Sequence, residues 1–238
     1  MQQNKIVILS TRPLQIELIN KAAERNIQIE FVSFIEINGI KKDSLIKRVL
    51  HLSHHQLTIV FTSMNAVDAV LLFLSEKRPD WKIFCIGSTT KKSVKEYFGE
   101  NAIAGTADSA SSLADVIINH KGIDSVIYFC GDKRRNELPM KLLGHNIEVN
   151  EIEVYKTSET PYAFNKNYDG ILFYSPSAVS SFFSVNRINE QTVLFAIGNT
   201  TADEIRKYSA NKIIVAKEPE KELLAAEAMK YFDSIIHR

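Results

Sequence analysis

Cysteine is scarce in this chain: Cys85 and Cys130 are the only two among 238 residues. Both close apolar, strand-like runs. They read as buried free thiols in a reducing compartment rather than a disulfide framework, with a single bridge between them left open. No apolar run approaches the roughly 18 residues a membrane span needs, so no membrane association is expected. The opening segment, MQQNKIVILSTRPLQ, lacks the basic flank, long apolar core and small-residue cleavage site of a signal peptide. These absences point to the cytoplasm. Nor does one sign of charge dominate, with 29 Lys and Arg against 28 Asp and Glu. A large nucleic-acid footprint shows a basic excess, so nucleic acid is not an expected partner.

Several catalytic signatures are missing too. There is no G-x-G-x-x-G and no Gly-rich loop ending in Lys before Ser or Thr. His51, His54 and His55 have helical i, i+3, i+4 spacing, but no Glu lies between them as in H-E-x-x-H, and Lys47 and Arg48 lie just upstream. A metal site is therefore not expected. No Ser-His-Asp or Cys-His arrangement can be assembled from the sequence.

What is present is an ordinary globular composition, 45% hydrophobic and 24% charged. Size alone allows one large domain or two small ones. The chain is written twice. IGSTT at 86–90 returns as IGNTT at 197–201. FTSMNAVDAVLLF precedes the first and FYSPSAVSSFFSV the second. Phe61 corresponds to Phe173, an offset of 112, and Gly87 to Gly198, an offset of 111. STRPLQIELINKAAERNIQIE likewise resembles CGDKRRNELPMKLLGHNIEVN, where Glu17, Leu18, Lys21 and Asn26 correspond to Glu137, Leu138, Lys141 and Asn146. Two copies of this length mean duplicated domains, since solenoid periods are only about 20–50 residues.

Within each copy, short β-branched runs (KIVILS, LTIVFT, KIFCI, SVIYFC, GILFY, TVLFAI, KIIVA) alternate with amphipathic stretches. Continuous apolar runs fit strands covered on both faces, and alternating helices imply parallel sheets. The fold class expected is α/β, with two similar doubly wound parallel-sheet domains joined by a two-stranded antiparallel linker. Two extended segments, 29–37 and 147–155, break the rhythm at corresponding places and read as crossovers. On that reading one domain is 1–32 plus 157–238, the other is 38–150, and 33–37 with 151–156 are the linker strands. The linker would act as a hinge, because a lone two-stranded ladder is marginally stable.

In open α/β sheets, ligands bind beyond the carboxyl ends of the strands. Hydroxyl residues cluster there: Ser10 and Thr11, Thr62 and Ser63, Ser88, Thr89 and Thr90, Ser175 and Ser177, Thr200 and Thr201. Each cluster can simply cap the following helix. Gathered on sheet edges facing each other across a hinge, the same helix starts would favour an anion. Gly87 and Gly198 would let a ligand approach the backbone closely. Arg12, Lys91 and Lys92, and Lys133, Arg134 and Arg135 are expected in first helical turns, where they oppose the helix dipole unless an anion arrives or they remain solvated surface charges. The pattern suggests a cleft for a multi-carboxylate. Tyr155 ends the second crossover where the first has Ile37, as a ring covering the linker or as a polar group at the cleft.

These stretches resemble the uroporphyrinogen-III synthase family along essentially the whole chain. FCGDKRRNELPMKLLGHNIEVNEIEVYKT (129–157) is similar to that family's strand, glycine, basic residues, Leu-Pro pair, helix and Val-Tyr-x-Thr linker. FTSMNAV, YSPSAV and IGNTTA are similar to its other recurrent phrases. The resemblance implies two α/β domains and a lyase. That enzyme eliminates water from hydroxymethylbilane, a linear tetrapyrrole polycarboxylate. It then closes uroporphyrinogen III with the last pyrrole inverted, through a spiro intermediate. The resemblance implies no metal or organic cofactor, and the architecture needs no second copy, so a monomer is expected. It carries Tyr155 over as the proton donor to the leaving hydroxyl. Thr11, Arg12, Ser63, Gly87, Ser88, Thr89, Thr90, Gly131, Ser175, Ser177, Gly198, Thr200 and Thr201 are the expected substrate contacts. Met64 and Asn65 stand where some relatives carry Pro-Arg, so no arginine contact is carried over there, and Lys217 matches the last turn only loosely.

From the residues alone, a two-lobed cytoplasmic small-anion binding protein and a sugar-phosphate isomerase remain alternatives. The absent signal peptide speaks against an exported binding protein. The lack of an evident acid or base such as a cleft Glu or His speaks against the isomerase.

Overall fold

The structure, a computed structural model, describes residues 5–236, apart from the side chains of Ser88 and Ile236. The chain begins with β1 (Ile6–Ser10), α1 (Ile16–Ala23), β2 (Ile27–Phe31), β3 (Ile35–Gly39) and α2 (Asp43–Leu52). It continues through β4 (Leu57–Phe61), α3 (Met64–Leu74), β5 (Trp81–Ile86), α4 (Ser88–Phe98), β6 (Ile103–Ala107) and α5 (Ala110–Ile118). Next come β7 (Ser125–Gly131), α6 (Glu137–Leu143), β8 (Glu148–Glu159), β9 (Gly170–Phe173) and α7 (Pro176–Val185). The last elements are β10 (Val193–Ala196), α8 (Asn199–Arg206), β11 (Ile213–Val215) and α9 (Lys221–Ile236).

Two compact units result. The segments up to Glu36 and from Ser158 onward form one, and Ile37–Thr157 form the other. The first holds a sheet of order β11-β10-β9-β1-β2, and the second a sheet of order β6-β5-β4-β7-β8 with β3 added at its edge. The pairings β1–β2, β1–β9, β9–β10 and β10–β11 are all parallel. So are β4–β5, β4–β7, β5–β6 and β7–β8. Strand for strand, the two orders are the same: β9 takes the place of β4, β10 of β5, β11 of β6, β1 of β7 and β2 of β8. This is the repeat seen in the sequence, with its start moved, because β1 precedes β9 in one unit while β7 follows β4 in the other.

Each sheet is buried on both faces because successive residues of a strand point to opposite sides. In the second unit Ile59 and Phe61 join Val67 and Val70 of α3, Val94 of α4 and Phe129 of β7. Val60, between them, faces Leu113 of α5 and Leu138 of α6. In the first unit Phe173 packs on Val179 and Phe182 of α7, while its neighbour Leu172 joins Ala225, Ala228 and Phe232 of α9. Fully burying a Phe or Leu side chain contributes about 1.5–3 kcal/mol. That is why these strands read as unbroken apolar runs.

The crossover segments differ in detail from the expectation. Residues 29–37 are not one extended strand. Val32, Ser33 and Phe34 break them, so β2 ends parallel beside β1 while β3 begins next to β8. Phe34 is the reason for the break, since it is fully buried against Phe182 with ring centroids 5.2 Å apart. β8 is more than a linker, for it pairs with β7 from Glu148 to Tyr155. Thr160 N–H donates to the Phe34 carbonyl at 2.9 Å and Ile40 N–H to the Val154 carbonyl at 3.0 Å, so β3 and β8 run in opposite directions.

Candidate active site

The carboxyl ends of β4, β5, β7 and β8 carry most of the candidate residues of the second unit. Tyr155 pairs in register with Gly131 of β7. A Cβ built on Gly131 would lie 2.4 Å from Tyr155 Cζ and 2.8 Å from its hydroxyl oxygen. The absence of a side chain at 131 therefore lets the Tyr155 ring lie across the end of β7. Beyond β7 in the sheet comes β4, and the Tyr155 hydroxyl lies in the neighbourhood of the Ser63 and Asn65 side chains, at the start of α3. Ser63 is also the helix cap, its Oγ accepting from Asn65 N–H at 3.2 Å.

Burial pushes the Tyr155 phenol above its ordinary value, and the nearby Cys130 and Asp132 push the same way, while Ser63 and Asn65 partly offset the rise. The group is thus neutral at pH 7 and acts as a hydrogen-bond or proton donor, not as a base. Tyr128, on the same strand as Gly131, hydrogen-bonds Thr62 Oγ1 at 2.7 Å, and burial pushes its phenol up to about 12. Asp132 ties the end of β8 to this corner. Its Oδ1 accepts from Thr157 N–H at 2.9 Å, and its own N–H donates to the Tyr155 carbonyl at 3.2 Å.

The repeated IG.TT phrases open α4 and α8. Gly87 and Gly198 are the N-cap residues, and no side chain caps either helix. By contrast α3 and α7 are capped by Ser63 and Ser175, the latter accepting from Ala178 N–H at 3.2 Å. The phrase therefore builds helix starts whose first amide groups are left for another acceptor. Open space surrounds both glycines, with no atom within 4 Å of an added Cβ. Thr90 and Thr201 are buried in their first turns, Thr200 is half-buried, Thr89 is exposed, and the Ser88 side chain lies outside the described residues. The two copies differ in backbone, since Gly87 has φ 68° and Gly198 an extended φ of −178°.

In the first unit Thr11 and Ser10 do not cap α1, whose N-cap is Gln15 without a side-chain bond. Thr11 Oγ1 instead donates to the Leu172 carbonyl at 2.9 Å, and Ser10 Oγ to the Arg12 carbonyl at 2.5 Å. Tyr174, just past β9, donates its hydroxyl to the Lys221 carbonyl at 3.4 Å. In the other unit the Tyr128–Thr62 link joins β7 to β4, where the strand order reverses, the place where open α/β sheets bind ligands. Ser177 is half-buried in the first turn of α7.

The basic residues correct one expectation. Arg12 precedes α1 because Pro13 keeps it out of helical geometry. Lys133, Arg134 and Arg135 precede α6, and Arg134 is drawn to Glu151 on β8 and to Asn136 Oδ1 at 2.7 Å. Only Lys91 and Lys92 lie in a helix near its start. Lys217 is exposed after β11. The histidines leave the helical pattern because α2 stops at Leu52. His51 and His55 still touch, with ring centroids 4.9 Å apart, and His54 faces Lys77 Nζ at 3.3 Å. Among the described residues no three His, Cys, Asp or Glu side chains are placed to hold a metal ion, and no helix is long and apolar enough to cross a membrane.

A family model described as uroporphyrinogen-III synthase HemD matches residues 17–226. The chain belongs to the uroporphyrinogen-III synthase family, a family of heme biosynthesis. Solved structures agree on the fold. The uroporphyrinogen-III synthetase of Helicobacter pylori 26695 matches with a TM-score of 0.65 at 17% identity, covering 95% of this chain and 99% of that one. A mutant uroporphyrinogen III synthase from the extremely thermophilic bacterium Thermus thermophilus matches with a TM-score of 0.68 at 14% identity, covering 95% and 98%. Curated protein sequences gave no match. For this uroporphyrinogen-III synthase family member, sequence reasoning passed over Asn65 as a contact and missed Tyr128 altogether. Both matter only through cross-strand neighbours, which a linear pattern does not display.

Proposed function

We propose that this chain is a lyase that removes water from hydroxymethylbilane and closes the macrocycle of uroporphyrinogen III with the last pyrrole inverted. The uncapped starts of α4 and α8, with Ser63, Ser175, Ser177, Thr90, Thr200, Thr201, Thr11 and Arg12, hold the acetate and propionate side chains. Anions favour such helix starts by about 0.3–1 kcal/mol each. The chain acts as a monomer in the cytoplasm, and its two buried free thiols suit a reducing compartment.

The observation that carries this reading is the neutral Tyr155 phenol lying across Gly131 beside the start of α3. It donates to the departing hydroxyl, which leaves as water. The resulting cation is conjugated and stabilised, so no strong acid is required. The difficult step is attack through the substituted carbon of the inverted ring, which is a matter of positioning. Well-oriented intramolecular reactions gain about 7–11 kcal/mol from such restriction.

The test is direct. The protein is mixed with freshly made hydroxymethylbilane, and the uroporphyrin isomers are separated after oxidation. Predominant isomer III is expected. Isomer I alone, the product of spontaneous closure, would overturn the reading.

A further inference from the structure

Of the thirteen phenylalanines, Phe31 alone is exposed among the described residues, at 55%. It is the last residue of β2 and pairs in parallel register with Ser10, the last residue of β1. Val32 N–H donates to the Ser10 carbonyl at 3.1 Å, so the sheet holds the backbone on both sides of the ring. Ile27 and Ile29 share a sheet face with Phe31, because side chains two apart in a strand point the same way. Both isoleucines join the core with Leu14 and Leu18, and Phe31 continues their row past that cover. The ring therefore stands at the carboxyl edge of a parallel sheet, where such sheets bind ligands.

The corresponding place in the other unit also carries a ring. β2 takes the place of β8, and the last registered pair of β7 and β8 is Gly131 with Tyr155. Both copies thus end this strand pair on an aromatic residue of the later strand. Tyr155 lies across a glycine. Ser10 has a side chain at the matching position, fully buried, with its Oγ donating to the Arg12 carbonyl at 2.5 Å, so Phe31 has no such seat. We propose that Phe31 is a substrate-binding residue that stacks on a pyrrole ring of the tetrapyrrole, with Arg12 taking a carboxylate of that ring. A pyrrole with acetate and propionate arms has a flat apolar face and an acidic rim. This edge offers a flat apolar ring and a cation. Aromatic rings attract in offset or edge-on contact. Arg12 is steadied by Ser10 Oγ, which also accepts from its N–H at 3.4 Å, and its guanidinium enters no ion pair among the described residues. This inference deepens the proposed reaction and rests on it.

The experiment measures kcat and KM with hydroxymethylbilane for the native protein, Phe31→Ala, Phe31→Leu and Phe31→Tyr, with a thermal melt of each. Phe31→Ala should raise KM about three- to tenfold, the loss expected for one aromatic pair, with kcat little changed. Phe31→Leu, apolar but not flat, should show most of the same rise, and Phe31→Tyr should restore native KM. All three should melt within about 1 °C of the native protein, because the ring lies outside the core. Native KM in Phe31→Ala or Phe31→Leu would overturn the inference, and so would a Tm several degrees lower in all three variants, which would assign the ring to the fold. Failure of the native protein to form isomer III would sink the proposed reaction instead. Calorimetric binding of uroporphyrinogen III would then decide the role of Phe31: affinity about three- to tenfold weaker in Phe31→Ala supports it, and equal affinity or no binding to the native protein overturns it.

Discussion

Tyr155 occupies the space that a side chain at Gly131 would fill, the ring carbon Cζ standing 2.4 Å from where that Cβ would be. Strand β8 contributes the phenol, and strand β7 contributes the vacancy. Gly131→Ala should therefore push the ring off its seat. Overpacking of this kind costs about 1–3 kcal/mol. The expected result is a Tm several degrees lower and a kcat about 10²-fold lower, as for loss of a general acid. Kinetics on the purified variant, with a thermal melt beside them, check both.

The two copies of the IG.TT phrase should respond differently to the same substitution. Gly87 has φ 68° and ψ 168°, a backbone region essentially confined to glycine that costs another residue about 1–3 kcal/mol. Gly198 has φ −178°, open to any residue, and neither site has an atom within 4 Å of a new Cβ. Urea denaturation should show Gly87→Ala destabilised by about that amount and Gly198→Ala within about 0.5 kcal/mol of the native protein. Equal losses at both positions would contradict the difference in backbone.

The alkaline limit of stability is set by buried acids that stay neutral. Burial pushes Cys85 and Cys130 from 9.0 to about 11 and Tyr128 from 10.0 to about 12. The unfolded chain loses these protons first, so it binds fewer protons than the native state, and stability falls as pH rises. The stabilisation is complete below about pH 9 and is lost progressively as pH climbs through 11 to 12. Thermal melts between pH 8 and 11 should show a falling Tm, with a shallower slope in Cys85→Ala. A flat profile over that range would contradict the assignment.

The strands of both sheets were largely legible, because burial on two faces leaves continuous apolar runs such as LTIVF and VLFA. β6 escaped, since Ile103–Ala107 pairs the small residues Ala104, Gly105 and Ala107 with one Thr and one Ile, and so lacks that signature. The division of 29–37 into β2 and β3 was hidden because Ile, Phe and Val dominate the whole segment, and the burial of Phe34 marks the break. Arg12 and the Lys133–Arg135 run were misplaced for local reasons, namely Pro13 in one case and the pull of Glu151 in the other. Tyr155 could be singled out by comparing the two copies. Its neighbours Asn65 and Tyr128 could not, because they depend on β7 lying between β8 and β4.

The helix caps give a further contrast. Ser63→Ala and Ser175→Ala each remove an N-cap acceptor, at an expected cost of about 1 kcal/mol. Ser63→Ala should also slow turnover through Tyr155, whereas Ser175→Ala should act on substrate affinity. Measuring KM and kcat for both variants separates the two effects.

The most direct measurement is single-turnover cyclisation by Tyr155→Phe beside the native protein, with the isomers separated. The account predicts a rate about 10²-fold lower and a product shifted toward isomer I, as the uncatalysed closure competes. A variant that yields isomer III at the native rate would contradict it.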